Sequence, residues 1–257
     1  MEPVYVERIV AFIDILGFRN LVQQIGADPM LHRKLQGALS RIKHCKLSSV
    51  ADNTAQSDLE VSVFSDSVVI SGTMDNFHGV CWTVIHLQCD LLAFGVLARG
   101  GISKGRTVHR DDILYGEGIL AAYDLESKAA VYPRIVIDPK LVDDITPRYR
   151  STFLDKDQDG LWFINPFTIG IRPGGADALL EDGYDPHEVS LRSLGEIINK
   201  ELLRLRDAGQ LAKWGWLQKQ HSAAIAEYRR LGTPRFWHLM AEVENAKKAG
   251  SNNEPKA

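Results

Sequence analysis

Two short apolar runs, each interrupted by a single aspartate, constrain this chain more than any other feature. The first is residues 10–18 (VAFIDILGF), and the second is residues 61–70 (VSVFSDSVVI). An ionised carboxylate in a buried strand is unfavourable unless a partner compensates its charge, and a divalent cation is one such partner. Asp14 and Asp66, with Gly17 soon after the first, therefore predict a magnesium or manganese site beside a phosphate-accepting turn.

Each aspartate taken alone has a simpler explanation, because Asp is common at strand ends and in turns. Asp14, however, is followed by Ile-Leu and not by a polar turn. The residues around Asp66 predict two strands that meet at a tight Ser-Asp-Ser tip, with the carboxylate exposed there. The occurrence of two such runs is what favours the metal interpretation.

Composition is that of an ordinary globular protein: 257 residues, 45% apolar and 25% charged. This length allows one large domain or a domain with a substantial appendage. The net charge of -3 gives no case for a nucleic-acid or membrane partner. Three cysteines without a CxxC spacing argue against a disulfide scaffold and a structural zinc site. With no secretion signal and no apolar run near the roughly 20 residues that span a bilayer, we expect a cytoplasmic protein.

Hydrophobic spacing predicts the order β-α-β-β-α-β followed by a helix and a strand, which is typical of an α+β sandwich. The helices are expected on one face of the sheet and a functional face on the other. The predicted elements are a strand over 9–16, a helix over 18–46 with a break near Asp28-Pro29, a loop over 48–58, a hairpin over 60–64 and 67–71, a helix over 77–92 that ends near Gly95, a strand over 98–108, a helix over 116–130 and a strand over 134–138.

The character of the chain changes after Pro139. Residues 143–182 are rich in Asp, Gly and Pro, and helical periodicity dominates from 186 to 248. Residues 155–160 (DKDQDG) resemble the start of a calcium loop, but Pro166 stands where such a loop needs a bidentate Glu. No calcium site is predicted there.

Four motifs in this order resemble the class III nucleotidyl cyclase catalytic domain, and in detail the Pycsar pyrimidine cyclases of bacterial anti-phage defence. The motifs are FIDILGF (12–18), FSDSVVIS (64–71), RGGISKG (99–105) and LYGEGILAAYDLESKA (114–129). The resemblance covers about residues 6–140. It implies a class III nucleotidyl cyclase-like (ferredoxin-like) α+β sandwich with a C-terminal helical extension: a catalytic domain over 1–140, an extension over 141–249 packed on the core, and a disordered tail over 250–257.

The resemblance also implies a chemistry and a set of residues. Asp14 and Asp66 match the metal-binding aspartates, and Ile15 matches the residue whose backbone carbonyl joins the coordination. Gly17 and Phe18 match the turn whose amides hold the β- and γ-phosphates. Two Mg²⁺ or Mn²⁺ ions per active site would stabilise the attacking 3'-hydroxyl and the leaving pyrophosphate, so no histidine base is needed. The nucleotide-binding set that we infer also includes Phe12.

Departures from the usual purine cyclases favour a smaller base. The purine-reading position falls at Ser62, and the transition-state Asn and Arg positions fall near Leu120 and Asp124, none of which can do those jobs in the usual way. Cationic replacements are available on the strand over 98–108, where Arg suits bidentate recognition of a phosphate or a carbonyl. We assign Arg99 as catalytic and Lys104 and Arg106 as nucleotide-binding, although a solvated strand face also explains all three.

The resulting hypothesis is a homodimeric enzyme that converts UTP to 3',5'-cyclic UMP and pyrophosphate. Its active sites would lie at the dimer interface, and its product would activate a separate effector during phage infection. Two alternatives stay open: a cytidylate cyclase that makes cyclic CMP from CTP, and a catalytically silent sensor or scaffold. A single hydrogen-bond partner decides between uracil and cytosine, and a donor such as Arg99 favours the uracil carbonyl.

Overall fold

One mixed sheet of eight strands organises the part of the chain that the structure describes. The computed structural model describes residues 5–26, 28–51, 58–110, 113–167 and 186–231. The strand order is β2-β3-β1-β4-β6-β8-β7, with β5 paired to β4 outside this path. All pairings are antiparallel except the one between β4 and β6. The strands are β1 (Val6–Ile15), β2 (Glu60–Phe64), β3 (Ser67–Gly72), β4 (Ala98–Arg110), β5 (Ile113–Gly116), β6 (Ile135–Ile137), β7 (Leu154–Lys156) and β8 (Trp162–Ile164).

Eight helices are assigned within the described part of the chain. They are α1 (Phe18–Gln24), α2 (Pro29–Ala51), α3 (Phe77–Ala93), α4 (Glu117–Ala129), α5 (Pro139–Val142), α6 (Pro147–Phe153), α7 (Pro186–Arg204) and α8 (Ala208–Leu231). Among them, none has both the length and the apolar character that a membrane crossing requires.

The alternation of side chains on β1 divides the sheet into two faces. Ile9, Ala11 and Ile13 enter the main core, to which α3 contributes most of its buried residues. Val10 points to the opposite face, where it forms a smaller apolar cluster with Val69 of β3 and Ala122 of α4. The helix α4 therefore covers the face of the sheet that also carries the even-numbered residues of β1. The expectation that helices lie on only one face is wrong, because α3 and α4 pack on opposite faces.

Close packing holds α4 directly against β4. A Cβ atom on Gly101 would lie 2.4 Å from both the carbonyl oxygen of Ala122 and the Cβ of Leu125, so only glycine permits this approach. The hydroxyl of Ser103 donates a hydrogen bond to the carbonyl of Gly118, 2.7 Å away. These contacts set the position of every α4 side chain relative to the strand.

The predicted α+β fold class is confirmed, and so are the first strand, the hairpin, and the helices and strands between Phe77 and Ile137. The predicted helical break at Asp28-Pro29 is also confirmed, since α1 and α2 are separate and the Asp28 side chain accepts hydrogen bonds from the amides of Met30 and Leu31. The loop predicted from residue 48 is wrong at its start. The helix α2 continues to Ala51 because no Gly or Pro interrupts it there; residues 52–57 lie outside the described residues.

The sequence predicts that residues 141–167 belong to a helical extension, but they also add two strands to the sheet. The hairpin of β7 and β8 pairs with β6. Strands of three residues are too short to show a period, so the sequence pattern could not reveal them. The boundary at residue 140 stays a prediction, and the proposed tail over 250–257 lies outside the described residues.

The helices α7 and α8 pack on the main core. Leu191, Leu194 and Ile198 of α7 join it, as do Trp214 and Leu217 of α8. The amphipathic periodicity of this segment thus reflects burial against the sheet domain.

A buried arginine links α8 to the edge of the sheet. Arg134 precedes β6 and is 1% exposed. Its guanidinium forms ion pairs with Asp157 and Asp159, both from the DKDQDG loop. The indole of Trp216 on α8 donates to the same Asp157 carboxylate over 2.8 Å. The acidic loop therefore binds an arginine of this chain. We refer to Arg134, Asp157, Asp159 and Trp216 as the Arg134 clamp.

Candidate active site

The β2–β3 hairpin brings the two aspartates of the sequence motifs together. Asp14 lies near the end of β1, opposite Ser67 of β3. Asp66 lies at the hairpin tip, after Ser65, whose φ of 55° is left-handed. The amide of Ile15 donates to the backbone carbonyl of Asp66 over 3.1 Å. The tip is thereby tied to the end of β1 through backbone atoms, which leaves both carboxylates available.

The two carboxylates are electrostatically unfavourable neighbours. Burial raises the pKa of Asp14, and the nearby charge of Asp66 raises it further. The hydroxyl of Ser67, 3.3 Å away, and the guanidinium of Arg99 oppose this shift only in part. When two carboxylates repel each other and are partly accessible, a hard divalent cation bound between them reduces the repulsion.

The donor chemistry fits Mg²⁺ or Mn²⁺. Within the described ranges, no group of three or more His, Cys, Asp or Glu side chains is arranged to hold a metal ion. Ions of this kind are commonly bound by one or two carboxylates, with waters and substrate phosphates completing the coordination. Asp14 and Asp66 meet that requirement without a further protein side chain, and the backbone of Ile15 lies beside them.

Asp14→Asn should raise the thermal unfolding midpoint of the metal-free protein by a few degrees at pH 7. The pKa of Asp14 is higher in the folded protein than in the unfolded chain, so the folded protein binds the proton more tightly. Stability therefore falls as the pH rises from the unfolded pKa through the folded pKa. Asparagine removes the unfavourable charge. The gain should shrink below about pH 4, where the carboxyl is protonated in both states. Melting curves of the wild type, the variant and the exposed control Asp75→Asn measure the effect; a lower midpoint for Asp14→Asn at pH 7 would contradict it.

The turn after β1 has an open backbone. Gly17 has a φ of 75°, and a Cβ atom there would touch nothing within 4 Å, so conformation and not space requires glycine. Phe18 begins α1 and packs against the main core. A phosphate role for Gly17 and Phe18 stays a prediction. Phe12 lies on the same face of β1 as Asp14 and packs edge-to-face on Tyr123 of α4, with ring centroids 5.3 Å apart.

A cavity of about 250 Å³ adjoins this turn on the side of the C-terminal helices. Its lining includes Gly17 and Leu97, together with Arg204, Lys213 and Trp214 from α7 and α8. The predicted phosphate turn thus borders a space that the C-terminal extension helps to enclose.

Arg99 lies beside the aspartates, directly opposite Asp14 on the neighbouring strand β4. Its Nε is 2.6 Å from Oε1 of Glu126, on α4. The pKa of Glu126 is raised above its ordinary value. Burial is the main cause, and the charge of Asp14 adds to it, while the guanidinium of Arg99 opposes the shift only in part. Sequence reasoning missed Glu126. The available signal was a charged residue at helical spacing from Ile119 and Ala122, on the stripe of α4 that faces the sheet.

Ser62 is buried on β2 and takes part in a polar network. Its hydroxyl lies 2.9 Å from Nε2 of His109, whose Nδ1 lies 2.8 Å from the hydroxyl of Ser71. Arg8 donates to the same Ser71 hydroxyl over 2.9 Å. Ser62 is therefore hydrogen-bonded to β4, and its nucleotide-binding role stays a prediction.

Lys104 and Arg106 do not lie beside Asp14 within one chain. They are separated from Arg99 by odd numbers of residues along β4, so they point to the other face of the strand. Lys104 forms ion pairs with Asp144 and Glu7. Arg106 pairs with Glu117 and lies 5.2 Å from the centre of the Tyr5 ring. Their nucleotide-binding role stays a prediction that would require a second copy of the chain.

Several solved structures share this architecture in outline. The adenylyl cyclase CyaB from P. aeruginosa is 14% identical, with a TM-score of 0.44, and the match covers 62% of this chain and 93% of that one. A bacterial light-regulated adenylyl cyclase is 13% identical, with a TM-score of 0.42, and covers 63% and 91%. The guanylyl cyclase domain of the RhoGC fusion protein from the aquatic fungus Blastocladiella emersonii is 15% identical, with a TM-score of 0.42, and covers 62% and 95%.

No family model matches the chain, and no curated protein matches it. At such low identities and TM-scores, the similarity to the solved structures transfers neither an activity nor a residue role. The assignment of chemistry therefore depends on the side chains themselves.

Proposed function

We propose that this chain is a pyrimidine nucleotide cyclase that converts UTP to 3',5'-cyclic UMP and pyrophosphate. The observation that carries the proposal is the juxtaposition of Asp14 and Asp66, two half-buried, mutually repelling carboxylates next to the open turn at Gly17. A protein without a cation to bind has no use for this unfavourable arrangement.

Each residue has a task in this reaction. Asp14, Asp66 and the carbonyl of Ile15 would hold Mg²⁺ or Mn²⁺, which neutralises phosphate charge and makes the 3'-hydroxyl of the substrate more acidic. The amides of Gly17 and Phe18 would bind the terminal phosphates. The side chain of Arg99 is 30% exposed, so its guanidinium can stabilise charge at the α-phosphate during in-line attack by the 3'-hydroxyl.

A homodimer is part of the proposal, because Lys104 and Arg106 point away from Asp14 in one chain and would reach a nucleotide only from a second copy. Large apolar side chains are exposed on α4, which lies beside the site, and on β5, which pairs with the far end of β4: Leu120 is 67% exposed, and Tyr123, Ile113 and Tyr115 are each more than half exposed. A twofold partner that covers these side chains would complete two equivalent sites. By the family resemblance, the cyclic nucleotide would act in the cytoplasm on a separate effector during phage infection.

Incubation with Mn²⁺ and each of the four ribonucleoside triphosphates tests this function. We expect release of pyrophosphate and a cyclic product from UTP, identified by chromatography against cyclic UMP. A higher turnover of CTP would instead support the cytidylate cyclase. Turnover of ATP or GTP alone would refute pyrimidine specificity, and the absence of any product would favour the silent sensor or scaffold.

A further inference from the structure

A buried carboxylate that the proposed reaction does not use lies close to Asp14. The side chain of Glu126 is 5% exposed, and its only ion-pair partner within the described residues is Arg99. Burial raises the pKa of Glu126, and the negative charge of Asp14 also raises it. Glu126 therefore belongs to the electrostatic environment of the proposed metal site.

The fold delivers Glu126 to this place through glycine. Gly101 lies two residues after Arg99 on the same face of β4, and a Cβ atom on it would lie 3.1 Å from the amide nitrogen of Glu126. Because α4 packs closely against β4 at Gly101, the Glu126 side chain reaches the Arg99 guanidinium. The pairing is thus built into the contact between α4 and β4.

Arg99 would otherwise be a competitor for the aspartates. It is the direct cross-strand neighbour of Asp14, at a separation where opposite charges pair readily. A guanidinium bound to Asp14 would occupy carboxylate oxygens and would repel a dication. When Glu126 is ionised, Asp14, Asp66, Glu126 and Arg99 together carry two negative charges, which one divalent cation balances. Without the charge of Glu126, the group carries only one negative charge.

We propose that Glu126 is a positioning residue that holds Arg99 away from Asp14 and so keeps the aspartate pair open to a divalent cation. The inference rests on the proposed function, because it concerns the affinity of that same site. It predicts that the charge of Glu126, and not its shape, determines how tightly Mn²⁺ binds.

Glu126→Gln tests the charge at nearly constant shape. We expect its dissociation constant for Mn²⁺, measured by electron paramagnetic resonance of free Mn²⁺, to rise about tenfold or more, the size expected for the loss of a nearby charge. Arg99→Met removes the competitor and should bind Mn²⁺ at least as tightly as the wild type. The double variant should recover most of the affinity lost in Glu126→Gln, which a merely structural role would not produce.

Circular dichroism and thermal melting confirm that each variant is folded. If Glu126→Gln does not fold, Arg99→Met decides the matter, since weaker Mn²⁺ binding by that variant overturns the inference. Unchanged affinity in a folded Glu126→Gln also overturns it. Asp14→Asn and Asp66→Asn report on the proposed function separately: if they bind Mn²⁺ as well as the wild type, the metal site itself is misplaced.

Discussion

Asp66→Asn should lower cyclase turnover by about 100-fold or more while the protein stays folded, since loss of a metal-binding charge removes several kcal/mol of transition-state stabilisation. The substitution keeps the shape of the side chain at the hairpin tip. The structural hydrogen bond there, from the amide of Ile15 to the carbonyl of Asp66, uses backbone atoms that the substitution does not alter. Pyrophosphate release from UTP with saturating Mn²⁺ measures the effect.

The matched control is Asp75→Asn, the same chemical change at an exposed position in the 3-10 turn over Met74–Asn76. It should retain wild-type turnover. Equal rates for the wild type and Asp66→Asn would remove Asp66 from the metal site. A loss of turnover accompanied by unfolding would be detected by circular dichroism and would not count in favour of the assignment.

Arg134→Ala should lower the free energy of unfolding by about 3–5 kcal/mol, the range for breaking a buried ion pair. The variant leaves Asp157 in the Arg134 clamp without its cation, although only 9% of that side chain is exposed. It also removes the contact between the guanidinium and the ring of Tyr132, which itself stacks on Trp216. Denaturant unfolding followed by tryptophan fluorescence measures the loss, since Trp216 belongs to the clamp.

Arg106→Ala provides the control, because Arg106 and Glu117 form an ion pair in which both side chains are more than 60% exposed. Such pairs contribute about 0–1 kcal/mol. The hydrogen bond from Arg134 lowers the pKa of Asp159, so its stabilising effect is present at neutral pH and is lost as the pH falls through that lowered value. The difference in the free energy of unfolding between the wild type and Arg134→Ala should therefore become smaller at acidic pH. A clamp variant no less stable than Arg106→Ala would show that the ion pairs are not structural.

Local patterns were sufficient for much of the sheet. The hairpin around Asp66, the first strand and the helices α3 and α4 each show a period or a turn signal within a few residues, and the structure contains all of them. The face of each residue on β4 was equally available from the sequence, because residues separated by an odd number point in opposite directions. That parity separates Lys104 and Arg106 from Arg99, with which they share only their charge.

Contacts between distant segments could not be read in this way. The hairpin of β7 and β8 is stable because it pairs with β6 at the edge of the sheet. Asp157 forms its ion pair with Arg134 only when that edge is assembled. The hydrogen bonds of Ser62 with His109 likewise join strands that are far apart in the chain.

Periodicity and turn chemistry act over short distances, so the order of amino acids is enough to predict the elements and the two aspartates in apolar runs. Which charges become neighbours depends on the packed molecule. Helical spacing places Glu126 on the side of α4 that faces the sheet, but it does not show which charge lies opposite. Gly101 lets α4 approach β4 closely, and only then does Glu126 pair with Arg99. Electrostatic neighbours depend on how whole elements pack, and packing is settled by the complete chain.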